Sequence, residues 1–288
     1  MSQNSPEVKI HVTSSRGGSG KATIAYLKPA SKEQPTPPTA NHSGETIAIT
    51  SGRGGSGKTT VSLLLGTTMA KKPLQATNSR NLKVCLVEFD EDNSLNHLLG
   101  QKTPNANQLE ALGEYTVDNI NAHLVYNENF NIHVLLGTAT DKSFYEAVIP
   151  ILRTMFDIII FDTSFISNTA GNLTTEAALP LADKIIIVAR SDAPGLNSLR
   201  EVMNHHIQKY PVPHSIVFNG GNRSGKEHAW LMDQFREDVS GVIPLSTSVI
   251  HNAYSQGKLY DVIQDSQIGA IYQGIAEHTI AGVNPEEK

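Results

Sequence analysis

One cysteine, Cys85, is the whole thiol content of this 288-residue chain, so no internal disulfide can staple it and nothing points to a secreted, disulfide-built fold. No apolar run approaches the roughly 20 residues that cross a bilayer. The opening residues, MSQNSPEVKI, have no basic segment leading into an apolar one, which argues against a signal peptide. The expected location is therefore cytoplasmic. Positive charge is scarce as well. Lys and Arg number 23 against 28 Asp and Glu, a net charge of −5, which argues against a broadly basic nucleic-acid binder and leaves only a local basic patch open. The 11 histidines are scattered, with no HxxxH spacing, and the adjacent His205 and His206 cannot share one helix face. With one cysteine, that argues against a zinc site. No Ser/His/Asp or Cys/His grouping suggests acyl transfer.

What is present suits a folded domain. Apolar residues make up 39% and charged residues 18%, enough for a substantial core. Four of the 14 prolines, Pro29, Pro35, Pro37 and Pro38, fall among Ser, Thr, Lys and Gln, a composition that reads as a linker. The expected organisation is a short N-terminal segment (1–28), a proline-rich linker (29–44), a continuous body (45–283) and a tail (284–288). In the body, short apolar runs alternate with amphipathic stretches of helical length. The runs are Thr46–Thr50, Leu82–Phe89, Ile132–Leu136, Asp157–Phe161, Lys184–Ala189 and Ser215–Phe218. The helical stretches are Thr59–Lys71, Lys142–Phe156, Thr174–Ala182, Gly195–Lys209 and Glu227–Glu237. The pattern predicts an α/β fold: a doubly wound, mostly parallel sheet with helices on both faces.

Gly52-Arg53-Gly54-Gly55-Ser56-Gly57-Lys58-Thr59-Thr60 follows one such strand and opens a helix. It satisfies G-x-x-x-x-G-K-[ST], the phosphate-binding loop. Glycines let the backbone curl so that several N–H groups face one phosphate, and the helix N-terminus adds partial positive charge. Lys58 is the candidate for neutralising β- and γ-phosphate oxygens, and the Thr59 hydroxyl for holding Mg²⁺. Gly54, Gly55, Ser56, Gly57 and Thr60 complete the expected ATP cradle.

The form xGGxGKTT resembles the deviant Walker A motif of the ParA/MinD family of ATPases. That resemblance covers roughly Thr46 to Val262 and implies further roles. The family's second lysine, which reaches across a dimer to the partner's nucleotide, corresponds to Arg53. Val87-Glu88-Phe89-Asp90-Glu91-Asp92-Asn93-Ser94 looks like the family's VDxDPxxS segment. Asp90 matches the aspartate that positions the attacking water, and Glu88 stands where the first aspartate usually does. Phe156–Thr163 resembles Walker B, with Asp162 orienting a Mg²⁺ water. The strand ending at Asn219 matches the family's adenine-reading asparagine, although a turn-forming asparagine fits the following Gly220-Gly221-Asn222 nearly as well. Ile243-Pro244, with Ala253 and Gly257, matches the segment that closes around the base. Departures at Arg53, Glu88, Ser164 and Leu259 mark where this chain differs.

The resemblance implies a slow ATPase that dimerises on MgATP and separates after hydrolysis, alone or with an unidentified protein partner. Non-specific DNA is one candidate partner, through Arg200, Lys209, Arg223, Lys226 and Arg236. Glu201, Glu227, Asp233, Glu237 and Asp238 interleave them and favour a mixed solvated face. Direct membrane anchoring is not expected, because Leu259–Glu287 contains no Lys or Arg. An accessory ATPase of a larger assembly, a non-hydrolysing scaffold and an ATP-dependent amidoligase or carboxylase remain as other readings. RGGSGK also occurs at 16–21, where Ala22 replaces the metal-binding hydroxyl and the proline-rich linker follows, so a second hydrolytic site is not expected there.

Overall fold

The computed structural model describes residues 43–74, 77, 80–90, 92–100, 105–166, 172–221, 226–235, 238–244 and 247–280. The chain divides into the units Met1–Thr36 and Pro37–Lys288, and every described residue lies in the second. The first RGGSGK copy, most of the proline-rich stretch, the tail, Arg223 and Arg236 lie outside the described residues.

Six of the strands answer to the apolar runs: β1 (Glu45–Ser51), β2 (Val84–Phe89), β4 (Ile132–Leu135), β5 (Ile158–Phe165), β6 (Lys184–Arg190) and β7 (His214–Gly221). Two more, β3 (Val125–Asn127) and β8 (Val239–Pro244), were not evident in the sequence. The eight strands form one sheet in the order β3-β4-β2-β5-β1-β6-β7-β8. All neighbouring pairs are parallel except β3 with β4. The sheet is thus doubly wound and mostly parallel.

Each central strand is apolar on both faces, and alternate residues feed two separate cores. Ala48, Val87, Ile159, Phe161 and Ile187 face one core; Ile47, Ile49, Leu86, Ile160 and Ile186 face the other. The first core is covered by α3 (Ala106–Leu112), α4 (Val117–His123), α5 (Lys142–Met155), α6 (Leu179–Leu181), α7 (Ala193–His205) and α8 (Lys226–Phe235). The second is covered by α1 (Lys58–Lys71), α2 (Ser94–Leu99), the 3₁₀ turn Leu259–Gln264 and α10 (Ser266–Ile280). Helix α9 (Thr247–Ser255) precedes that turn.

Helix α1 departs from the amphipathic expectation. Val61 through Ala70 are all buried, because α1 lies between the sheet and α10. Two of its three buried hydroxyls are satisfied within the helix: Thr67 donates to the Leu63 carbonyl at 2.6 Å and Thr68 to the Leu64 carbonyl at 2.8 Å. The expected helix at Thr174–Ala182 is a π-helical turn, Thr174–Ala178, running into α6. Strand β5 also runs four residues past the expected end at Phe161. Asp162 therefore lies within a central strand, in register with Ile49 on one side and Glu88 on the other. Among the described residues, no helix is long and apolar enough to cross a membrane.

Candidate nucleotide site

The loop Gly52–Gly57 joins the end of β1 to α1 at the carboxyl edge of the sheet. Two glycines in it adopt left-handed backbone, Gly55 at φ 72° and Gly57 at φ 90°. Gly57 is constrained twice, since a Cβ there would lie 2.2 Å from Asn219 Nδ2. The loop is closed by Ser51, whose hydroxyl donates to the Arg53 carbonyl at 2.8 Å. No side chain caps the start of α1. Its first N–H groups therefore face the loop without a side-chain acceptor, the arrangement that suits an anion. Arg53, Gly54 and Gly55 are exposed, Thr59 and Thr60 are half-buried in the first turn, and Ser56 is buried with its hydroxyl unpartnered.

Beneath the loop a cation and several carboxylates share a desolvated space. Burial lowers the pKa of Lys58, against the opposing pull of Asp162, Asp90 and Asp92. Asp162 is fully buried. Its Oδ1 accepts from the Ser62 hydroxyl at 2.9 Å, while Oδ2 has no hydrogen-bond partner. Burial pushes its pKa up to about 7, with the Ser62 and Thr59 hydroxyls and Lys58 acting against that rise. The shifts in Lys58 and Asp162 have one cause, loss of water without full replacement of its hydrogen bonds. An unpartnered carboxylate oxygen beside the Thr59 hydroxyl is a hard-oxygen pair that fits Mg²⁺, a cation that keeps several waters and takes few protein ligands. Among the described residues, no cluster of three or more His, Cys, Asp or Glu could form a larger metal cage.

The two acidic residues at the end of β2 differ. Asp90 lies just past the strand, accepting from the Ser94 hydroxyl at 2.7 Å and more weakly from the Asp92 N–H at 3.3 Å. Glu88 points into the fold with no exposure. Its Oε1 accepts from the N–H groups of Leu95 and Asn96 at 2.8 and 3.2 Å, and its Oε2 from Gly137 N–H at 2.7 Å. Burial raises its pKa in spite of those three donors. Glu88 thus ties the start of α2 to the loop after β4 and contributes no free oxygen to the phosphate loop. Sequence reasoning missed this role. The available signal was a lone acid inside the apolar run Val84–Phe89.

Asn219, near the end of β7, reaches the loop directly, donating Nδ2 to the Ser56 carbonyl at 2.8 Å. Pro244 ends β8 in register with Gly221, farther along the same edge. Arg53 sits at the loop tip, and its charge helps hold the Asp192 carboxyl below the usual range, after the larger effects of Arg190 and the Gly195 N–H. Asp192 in turn caps α7 by accepting from Gly195 N–H at 2.9 Å. The structure therefore gathers Lys58, Thr59, Asp90, Asp162 and Asn219 around Ser56 and Gly57, with Arg53 outermost. Of the candidate DNA-contacting residues, Arg200 stacks over the Trp230 ring at 5.6 Å.

A parallel sheet with this loop at its carboxyl edge defines a P-loop nucleotide-binding protein. The chain belongs to the CobQ/CobB/MinD/ParA nucleotide-binding domain family, whose model matches residues 47–259. Solved structures agree on the fold. The cell division ATPase MinD of Pyrococcus furiosus is 22% identical, with a TM-score of 0.64 over 83% of this chain and 100% of that one. The septum site-determining protein MinD of Pyrococcus horikoshii, complexed with Mg-ADP, is 21% identical, with a TM-score of 0.62 over 83% of this chain and 98% of that one. A plasmid partition protein of Borrelia burgdorferi B31, bound to AMPPNP, is 19% identical, with a TM-score of 0.62 over 83% and 100%. No curated protein sequence matches the chain.

Proposed function

We propose that this chain is a Mg²⁺-dependent ATPase switch of the ParA/MinD type, which dimerises with ATP bound and relaxes after hydrolysis. One observation carries the reading. Lys58 and the buried Asp162 meet under an uncapped helix start, and Asp162 Oδ2 and the Ser56 hydroxyl are left without hydrogen-bond partners. Buried polar atoms without partners are rare in folded proteins, and these two lie at a loop shaped for phosphate.

In this reading the backbone N–H groups of Gly54 to Thr60 and the Lys58 ammonium take the phosphate charge. Thr59 and Asp162 hold Mg²⁺, which when bound neutralises charge on the transferred phosphoryl group. Asp90 orients the attacking water, and Ser94 keeps its carboxylate in place. Asn219 and Pro244 flank the base. Arg53, exposed at the loop tip, is placed to reach a second copy's nucleotide, though its planar fork differs from the ammonium of a lysine. The ATPase domain spans 45–283, after the segments 1–28 and 29–44 and before the tail 284–288. It works in the cytoplasm without a direct membrane anchor, with an unidentified protein partner and non-specific DNA as candidates for what the dimer recruits.

Light scattering with and without MgATP, on wild type and Lys58→Ala, tests the switch. A monomer that becomes a dimer only in wild type and only with MgATP is the expected result. A mass indifferent to ATP while nucleotide still binds would overturn the switch and favour a scaffold or a ligase. Phosphate release at the wild-type rate in Lys58→Ala would overturn the site.

A further inference from the structure

The loops after β2 and β4, with α2 and α3, border beside Asp90 an open cavity of about 470 Å³ that the proposed hydrolysis does not use. Four asparagines line it, Asn93, Asn96, Asn105 and Asn107, together with Thr138 and Thr140. Among the described residues, no charged side chain lines it. Three nearby carboxylates are already engaged. Glu88 holds three backbone N–H groups, Asp90 holds Ser94 and Asp92, and Glu110 accepts from the Thr140 N–H and hydroxyl and from the Asp141 N–H. Among the described residues, the lining side chains thus offer a ligand ammonium no anion and a ligand carboxylate no cation.

An amide side chain offers a donor and an acceptor together. Asn105 commits its Oδ1 to the Gln108 N–H at 3.1 Å, which leaves Nδ2 as its donor. A wall of amides and hydroxyls complements an uncharged group that both donates and accepts. We propose that this cavity binds a ligand through a primary carboxamide, carried either by a small free molecule or by an Asn or Gln side chain of a peptide, and that occupancy is relayed to Asp90.

The relay is built into the wall. The Thr138 hydroxyl donates to the Asp90 carbonyl at 2.9 Å, and the neighbouring Gly137 N–H is held by Glu88. Leu173, also in the wall, leads into the π-helical turn that follows the strand carrying Asp162. A ligand held by Asn96 and Asn107 therefore lies against Thr138, which holds the Asp90 carbonyl, and against α2, which follows the loop that presents Asp90. The relay rests on the proposed hydrolysis; the binding does not.

The test is calorimetric titration of the full chain with L-asparagine and Gly-Asn-Gly, against L-aspartate and Gly-Asp-Gly. At least one carboxamide probe should bind, and at least about tenfold more tightly than its acid counterpart, the discrimination expected of a site built around a neutral hydrogen-bonding group. Binding of asparagine alone assigns a small free ligand; tighter binding of the tripeptide assigns a peptide. Asn96→Leu with Asn107→Leu should abolish it, while Lys58→Ala should keep it, so the cavity and the nucleotide reading fail separately. Saturating probe should then change ATP turnover about fivefold or more, the lower range of coupling between linked sites, and Thr138→Val should remove that change while probe affinity stays. No saturable binding of either carboxamide, equal binding of the acids, or unaltered binding in the double asparagine variant would overturn the site. Turnover indifferent to a bound probe would overturn the relay.

Discussion

The two halves of the sheet's carboxyl edge are finished differently. Over β1 and β5, the loop Gly52–Gly57 and Asp162 leave a carboxylate oxygen and a serine hydroxyl without partners. Over β2 and β4, carboxylates are saturated: Glu88 by three N–H groups, and Glu110 by Thr140 and Asp141. Glu88 and Asp162 are both fully buried, so burial alone does not mark a functional group. What separates them is whether the protein itself supplies the missing hydrogen bonds. Where it does, the acid is a tie between loops. Where it does not, the acid waits for something from outside.

That contrast can be broken by substitution. The largest effect is expected at Lys58. Lys58→Ala should weaken ATP binding at least about 100-fold, since it removes a charge-assisted contact from a desolvated phosphate site; equilibrium dialysis reads it. Glu88→Ala comes next. It leaves buried donors unmet and should lower folding stability by about 3 kcal/mol, measured by urea unfolding, with the slope unchanged. An apoprotein as stable as wild type would mean that Glu88 is not a tie.

Asp162 should reveal itself through pH. Because its folded pKa lies near 7, above the ordinary 3.8 of a free aspartic acid, the folded state keeps a proton that the unfolded chain has lost between those values. Apoprotein stability should therefore fall as pH rises through that window. Asp162→Asn should flatten that dependence while removing the effect of Mg²⁺ on nucleotide affinity. Thermal melts of both proteins from pH 4 to 8 check the first part, and titrations with and without the metal check the second. The smallest effect is expected at Asn219, where Asn219→Ala loses one hydrogen bond to the Ser56 carbonyl and should cost about 1 kcal/mol of apo stability.

Much of the fold was legible because its inner strands are apolar on both faces and carry β-branched runs such as Ile158-Ile159-Ile160. Strand β8 escaped notice because Val239-Ser240-Gly241 interrupts the apolar signal, and β3 because it is three residues long. Helix α10 contains Gly269 and Gly274, which weaken the helical pattern, yet Gly269 is where a Cβ would meet the Ile263 carbonyl oxygen at 2.2 Å. The phosphate loop was readable because its residues are consecutive. Asp90 and Asp162 were readable from their strand ends. The partners of Glu88 were not, since Gly137 lies 49 positions away, and neither was the bond from Asn219 to Ser56, which spans 163. Local pattern carries no record of such contacts.

The Arg200 guanidinium over Trp230 has an optical consequence. The chain has one tryptophan, 40% exposed on α8, so its emission comes from a single place. A partner, a nucleic acid or a second copy covering that patch would dry the indole and move its emission to shorter wavelength. Filling the phosphate loop alone would leave the colour unchanged. The protein thus carries its own label for telling recruitment from loading, without a dye or a tag.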